Sequence, residues 1–199
     1  MCAEFSGSMV SFHFAGFSGS RVEFSNAVFS GGTVSFDAAK FARGQIVFAQ
    51  ATFSGGTVSF GAGFSGGTVA FNGAKFLAGG TVNFPLASFS SSEVSFTYTE
   101  FSGSTVSFES AKFSGGTVNF RGAKFSVGTV KFTGDLVTSD GARYPGAHDA
   151  TFSGDATVDF SEVGDWSVPP EFPWTDTPPP GVTLPGGPGS ALKPPSQRR

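Results

Sequence analysis

Phenylalanine recurs along this chain at alternating steps of seven and five residues, and few folds accommodate so strict a ruler. Phe29 to Phe41, read FSGGTVSFDAAKF, is one period of it. From Phe5 the same steps land on Phe12, Phe17, Phe24, Phe29, Phe36, Phe41, Phe48, Phe53 and Phe60. After small corrections they resume through Phe101, Phe108, Phe113, Phe120, Phe125 and Phe132. One residue type filling equivalent slots marks a repeat whose units stack on one another. The 199 residues hold 26 Phe and 29 Gly but two Met and two Tyr, unlike a core mixed from Leu, Ile and Val.

Each twelve-residue unit reads Phe-Ser-Gly-Gly-Thr-Val-Ser-Phe-x-x-Ala-x. The alternation at Val34-Ser35-Phe36 is that of a short strand with Val and Phe inward and Thr and Ser outward. Ser-Gly-Gly supplies a turn, because Gly accepts the positive φ that a side chain resists. Ala39 and Phe41 form the second inward pair, with Lys40 outward between them. Strands this short, separated by tight turns, predict a solenoid in which each Phe lies between the Phe of the coils above and below, about 4.8 Å away. The units start at Ala3-Glu4-Phe5 with no amphipathic segment before them. An open strand edge there is expected to meet an upstream part or a stacked partner, or to be an unusually tolerant end.

The spacing slips twice, one residue short between Phe60 and Phe64 and one long between Phe76 and Phe84, after which the phase returns. Residues 133–160 read as a degenerate last coil with a loop around Ser139-Asp140-Gly141, in which Val137 and Tyr144 keep phase. Residues 3–160 then form the repeat domain. Residues 161–177 form a cap built on Trp166, Phe172 and Trp174, and the Pro- and Gly-rich stretch 178–199 has too little to bury and is expected to be disordered.

Charge is unevenly placed. Up to Phe132 six acids meet eight bases, whereas from Thr133 to Thr177 nine acids face Arg143 alone. The lone Cys2 excludes an internal disulfide framework. No apolar run is long enough to span a bilayer, so a soluble cytoplasmic protein is the expectation.

Ala39-Lys40-Phe41, Ala74-Lys75-Phe76 and Ala111-Lys112-Phe113-Ser114-Gly115 resemble the pentapeptide-repeat motif, in which a small residue two before a central Leu or Phe points inward with it. The likeness runs from Ala3 to about Phe160. The Phe-rich form and the DWSVPPEFPWT ending are similar to bacterial, particularly actinomycete, members. The resemblance implies an all-β, right-handed, four-sided β-helix. The two extra residues at Gly32-Thr33 and their equivalents imply coils of about 24 residues, with a flattened solenoid of twelve-residue coils as the alternative. Room for two Phe, a Val and an Ala in each half-coil favours the larger one.

Enzymatic activity finds little support. His13 and His148 have no Cys or Ser brought near by the repeat phase, and the Gly pairs lack the Gly-Lys-Ser/Thr of a phosphate loop. Asp140, Asp149, Asp155, Asp159, Glu162 and Asp165 lack the spacing of a calcium loop, so neither metal nor cofactor is expected. A DNA-mimic inhibitor of a type II topoisomerase, a role known in the resembling family, requires rows of outward carboxylates. Here Lys40, Lys75, Lys112 and Lys124 hold the outward slots before Phe, with Glu100 the exception. A 24-residue coil aligns Thr33, Thr57, Thr81, Thr105 and Thr129 in an outward ladder that could match ice or a polysaccharide. The favoured expectation is a non-enzymatic scaffold that meets a protein partner, or a second copy of itself, at its N-terminal end.

Overall fold

The computed structural model describes residues 3–139 and 141–186, so Cys2, Asp140 and the tail beyond Gly186 lie outside the described residues. The described chain is all β, wound as a solenoid of parallel strands. Register fixes the coil: Thr33 lies beside Thr57, Thr57 beside Thr81, Thr81 beside Thr105 and Thr105 beside Thr129, an advance of one 24-residue turn each time. The twelve-residue alternative is thereby excluded.

Each coil has four walls. An eight-residue strand such as Val28–Ser35 supplies the first two, bending where its register breaks at Ser30-Gly31-Gly32. The third wall is a two-residue strand such as Lys40–Phe41, and the fourth is a strand such as Gly44–Val47. Two corner types join them. At one, Gly32 takes φ 69°, and a Cβ on the neighbouring Gly31 would lie 2.7 Å from the Ser6 carbonyl oxygen, so the corners nest too closely for side chains. The other is a β-turn over Phe-x-x-Ala, closed by Ala39 N–H donating to Phe36 C=O at 3.1 Å. Its third residue is left-handed even when it is not Gly, as at Ala38, Gln50 and Leu86, and at Tyr98, where Thr99 takes the place of Ala. Because that residue points outward, it costs local strain but no packing.

Inside run four aromatic columns. Phe29 stacks on Phe53 at 4.7 Å, Phe36 on Phe60 at 4.9 Å, Phe41 on Phe64 at 4.9 Å and Phe48 on Phe71 at 4.9 Å. Further along, Phe101 stacks on Phe125, Phe108 on Phe132 and Phe113 on Phe152, while Phe120 stacks on Phe160. Burial of each such ring contributes on the order of 1.5–3 kcal/mol. The short spacing at Phe60 to Phe64 tightens one turn, where Asp37 accepts hydrogen bonds from the Ser59 hydroxyl and Gly61 N–H of the next coil. The extra residue before Phe84 divides one strand into Lys75–Leu77 and Thr81–Asn83.

The end of the chain departs from the expectation. Tyr144 does not keep phase: it is exposed and belongs to an antiparallel hairpin, Leu136–Val137 with Arg143–Tyr144, lying outside the coil. Ala150 returns to the interior, its N–H bonded to Phe132 C=O, so residues 133–149 are an excursion from one corner. Nor is the stretch from Pro178 wholly without structure. Val182–Thr183 adds a seventh strand to the fourth wall beside Val158 and Asp159, and Val182 and Leu184 are buried. They are the large apolar side chains among the described residues of that stretch, and the register carries Leu184 onto Phe160 at the end of the fourth column, which Trp166 and Phe172 also meet edge-on. Trp166 packs edge-on against Phe125, Phe172 stacks on Phe132, and Trp174 packs edge-on against Phe152. With Leu184, they form a seventh, non-repetitive layer over all four columns.

Candidate functional site

The four middle coils place Thr and then Ser or Asn on the outer side of the second wall, on either side of an inward Val. The Thr column runs unbroken from Thr33 to Thr129, with Met9 exposed at its head. Beside it run Ser35, Ser59, Asn83, Ser107 and Lys131. The surface is not a bare hydroxyl plane. Asp37 takes the hydroxyl hydrogens of both Ser35 and Ser59, and Lys131 closes the second row with its ammonium 3.5 Å from Glu109. At Thr105 and Ser107 the inserted segment stands over the wall, so the array lacks the flatness an ice surface requires.

That segment corrects the reading of the histidines. The repeat phase places no Ser near His148, but the excursion folds back one coil, and the Ser110 hydroxyl lies 3.0 Å from His148 Nδ1. Ser110 N–H also donates to the His148 carbonyl at 2.6 Å. Sequence spacing could not show this pair, because 38 residues and a non-repetitive loop separate its members. Among the hydrogen bonds of the described residues no carboxylate meets the other ring nitrogen, and the Ser110 N–H is already occupied. The pair therefore lacks the orienting acid and the oxyanion donors of a nucleophile, and it pins the loop. Asp149 and Asp135 tie down the rest by accepting from Gly134 N–H and Gly146 N–H. The Gly146 N–H, and after it the Arg143 guanidinium, hold the Asp135 carboxyl below its usual range. Between loop and wall lies a cleft of about 410 Å³, floored by Asn83, Thr105 and Ser107, flanked by Glu109, Lys131 and His148, and lipped by Pro85 and Leu86.

Other candidate residues are not brought together. Asp159 and Asp165 accept from Ser161 and Ser167 N–H in local turns, and Glu162 pairs with Arg121 at 2.8 Å. No cluster of metal-ligating side chains occurs among the described residues. Lys40 and Lys112 sit on the third wall and Lys75 and Lys124 on the first, where Glu100 stands between them, 3.9 Å from Lys124. Along the four walls no two carboxylates are register neighbours, so the continuous anionic row of a DNA mimic is missing. No helix of the described residues is long and apolar enough to cross a membrane.

The first coil contrasts with the last. Inward residues bond to the second coil, as when Phe12 N–H donates to Ser35 C=O and Phe24 N–H to Val47 C=O, both at 2.7 Å. Strand alternation therefore turns the backbone groups of Met9, Ser11, Arg21 and Glu23 toward the open edge. Phe5, Phe12, Phe17 and Phe24 are only partly buried, and Phe14, which belongs to no column, is 76% exposed at the adjoining corner. Arg21 and Glu23 pair at 2.7 Å, and the Ser25 hydroxyl together with Arg21 holds the Glu23 carboxyl below its usual range.

No protein-family model matches the chain, and comparison with curated proteins finds no similar one.

Proposed function

We propose that the protein is a non-enzymatic scaffold of the pentapeptide-repeat kind, and that its first coil docks on the first coil of a second copy. The contrast between the two ends carries this reading. Four column ends are covered by Trp166, Phe172, Trp174 and Leu184, whereas the other four, Phe5, Phe12, Phe17 and Phe24, are only partly buried beside strand edges that no strand of the described residues pairs. Unpaired edges of this sort recruit another strand.

Charge selects the second copy. Two rods meeting end to end about a two-fold axis run their edge strands antiparallel. With Val22 opposite its own counterpart, Arg21 of each copy faces Glu23 of the other. Both residues turn their backbone groups to that edge, so the pairing is hydrogen-bonded and charge-complementary at once. Head-to-tail stacking lacks this match, because the far end is capped.

Sedimentation of the full chain across a concentration series tests the proposal. A dimer should form, Arg21→Glu should dissociate it by setting four carboxylates together, and the double exchange Arg21→Glu with Glu23→Arg should restore it. A wild-type protein that stays monomeric at every concentration, or a dimer indifferent to Arg21→Glu, overturns it.

A further inference from the structure

Segment 133–149 is the largest interruption of a metrical chain, and by folding back it turns a solvent-facing wall into a walled cleft. We propose that this cleft is a binding site for a short neutral saccharide, a role separate from the end-to-end docking above.

The volume of about 410 Å³ lies in the range of small-molecule sites. Its floor offers both donors and acceptors. The Asn83 side chain supplies an amide and Thr105 a hydroxyl. Ser107 Oγ accepts from Glu109 N–H at 3.3 Å, which leaves its own hydrogen free to donate. Lys131 and Glu109, 3.5 Å apart, cancel each other's charge, so the cleft favours neither a bare anion nor a bare cation. Each remains a strong hydrogen-bonding partner for a neutral hydroxyl. His148 is fixed through Nδ1 by Ser110, which holds its ring at the flank. Pro85 and Leu86 are exposed and apolar, and they give the lip a surface for the C–H face of a pyranose. A neutral molecule dense in hydroxyls and carrying one apolar face satisfies all of these groups together. A metal ion finds no group of three ligating side chains among the described residues, and a purely apolar ligand would leave the floor unpaired.

Saturation-transfer NMR on the full chain, with cellobiose, maltose and N,N′-diacetylchitobiose at millimolar concentration, tests the assignment. At least one sugar should give saturable transfer. Thr105→Val and Ser107→Ala, each removing one hydroxyl from a strand that retains its inward residues, should each weaken binding about fivefold. Thr117→Val, an equivalent change on the fourth wall, should leave it unaltered. No saturable transfer from any of the three sugars overturns the proposal. So does binding that survives both floor substitutions, or binding of inorganic sulfate in place of sugar.

Discussion

The ring of Phe36 stands at 90° to that of Phe48, with centroids 6.0 Å apart, and this edge-to-face contact joins two of the four columns across the interior. Along its own column Phe48 stacks between Phe24 and Phe71, and it also meets Phe60 edge-on at 5.4 Å. Stacking therefore holds coil to coil, and the perpendicular contacts hold wall to wall. Phe48→Ala removes both sets and leaves a cavity that neighbours locked in register cannot fill. A loss of about 3–5 kcal/mol is expected in urea unfolding. A loss under about 1 kcal/mol would show that the columns are dispensable.

Gly56 has φ 67°, and a Cβ there would lie 2.6 Å from the Gly31 carbonyl carbon of the coil below. Gly63 has ordinary φ and open space around its α-carbon. Gly56→Ala should cost more than about 1–2 kcal/mol, whereas Gly63→Ala should be tolerated. Melting temperatures of the two variants compare the effects directly.

Ser104 is buried at a corner of the fifth coil, and its hydroxyl has no hydrogen-bond partner. Since a buried, unpaired polar group costs about 1–3 kcal/mol, Ser104→Ala should be neutral or stabilising. A drop in melting temperature would mean that the hydroxyl is satisfied in solution.

Asp135 accepts from Gly146 N–H and from Arg143, and its folded pKa lies below the unfolded value. The contribution of such a group is complete above the unfolded Asp value of about 3.9 and is lost as pH falls through the lower folded value. Exchange of the Gly146 amide should therefore quicken on acidification through that range, beyond its intrinsic pH dependence. Asp135→Asn should show faster exchange already at neutral pH and no such step. Exchange in the wild type that shows no added step would remove the carboxylate from the account.

Leu184 follows Thr183 in the last strand, whose carbonyl accepts from Phe160 N–H at 2.8 Å. Leu184→Ala should destabilise by about 2 kcal/mol, at the low end for a buried Leu because the site borders solvent. Near-ultraviolet circular dichroism would report the accompanying loosening of Trp166 and Trp174. An unchanged spectrum and melting temperature would make the last strand ornamental.

The spacing of Phe, with the resemblance to pentapeptide repeats, made the solenoid legible in the sequence, down to the register of Thr33 with Thr57. The cleft was not readable. Ser110 and His148 meet through an excursion whose path depends on Asp135, Asp149 and two Gly amides, and no periodicity encodes that path. The fourth member of the cap was hidden because Val182 and Leu184 sit in a composition that reads as disordered.

What the sequence by itself determined is everything that repeats. A recurring step of about 24 residues puts like beside like, and a parallel ladder then has one register that turns the column Phe and their neighbouring Val and Ala inward together. What tertiary structure decided is everything that happens once. The hairpin over Ser110, the layer that closes over Phe132 and Phe160, and the uncovered rings of Phe12 and Phe24 each depend on which single side chain reaches a particular vacant surface. That choice is set by shape and hydrogen bonding across the stack, and spacing along the chain carries no record of it.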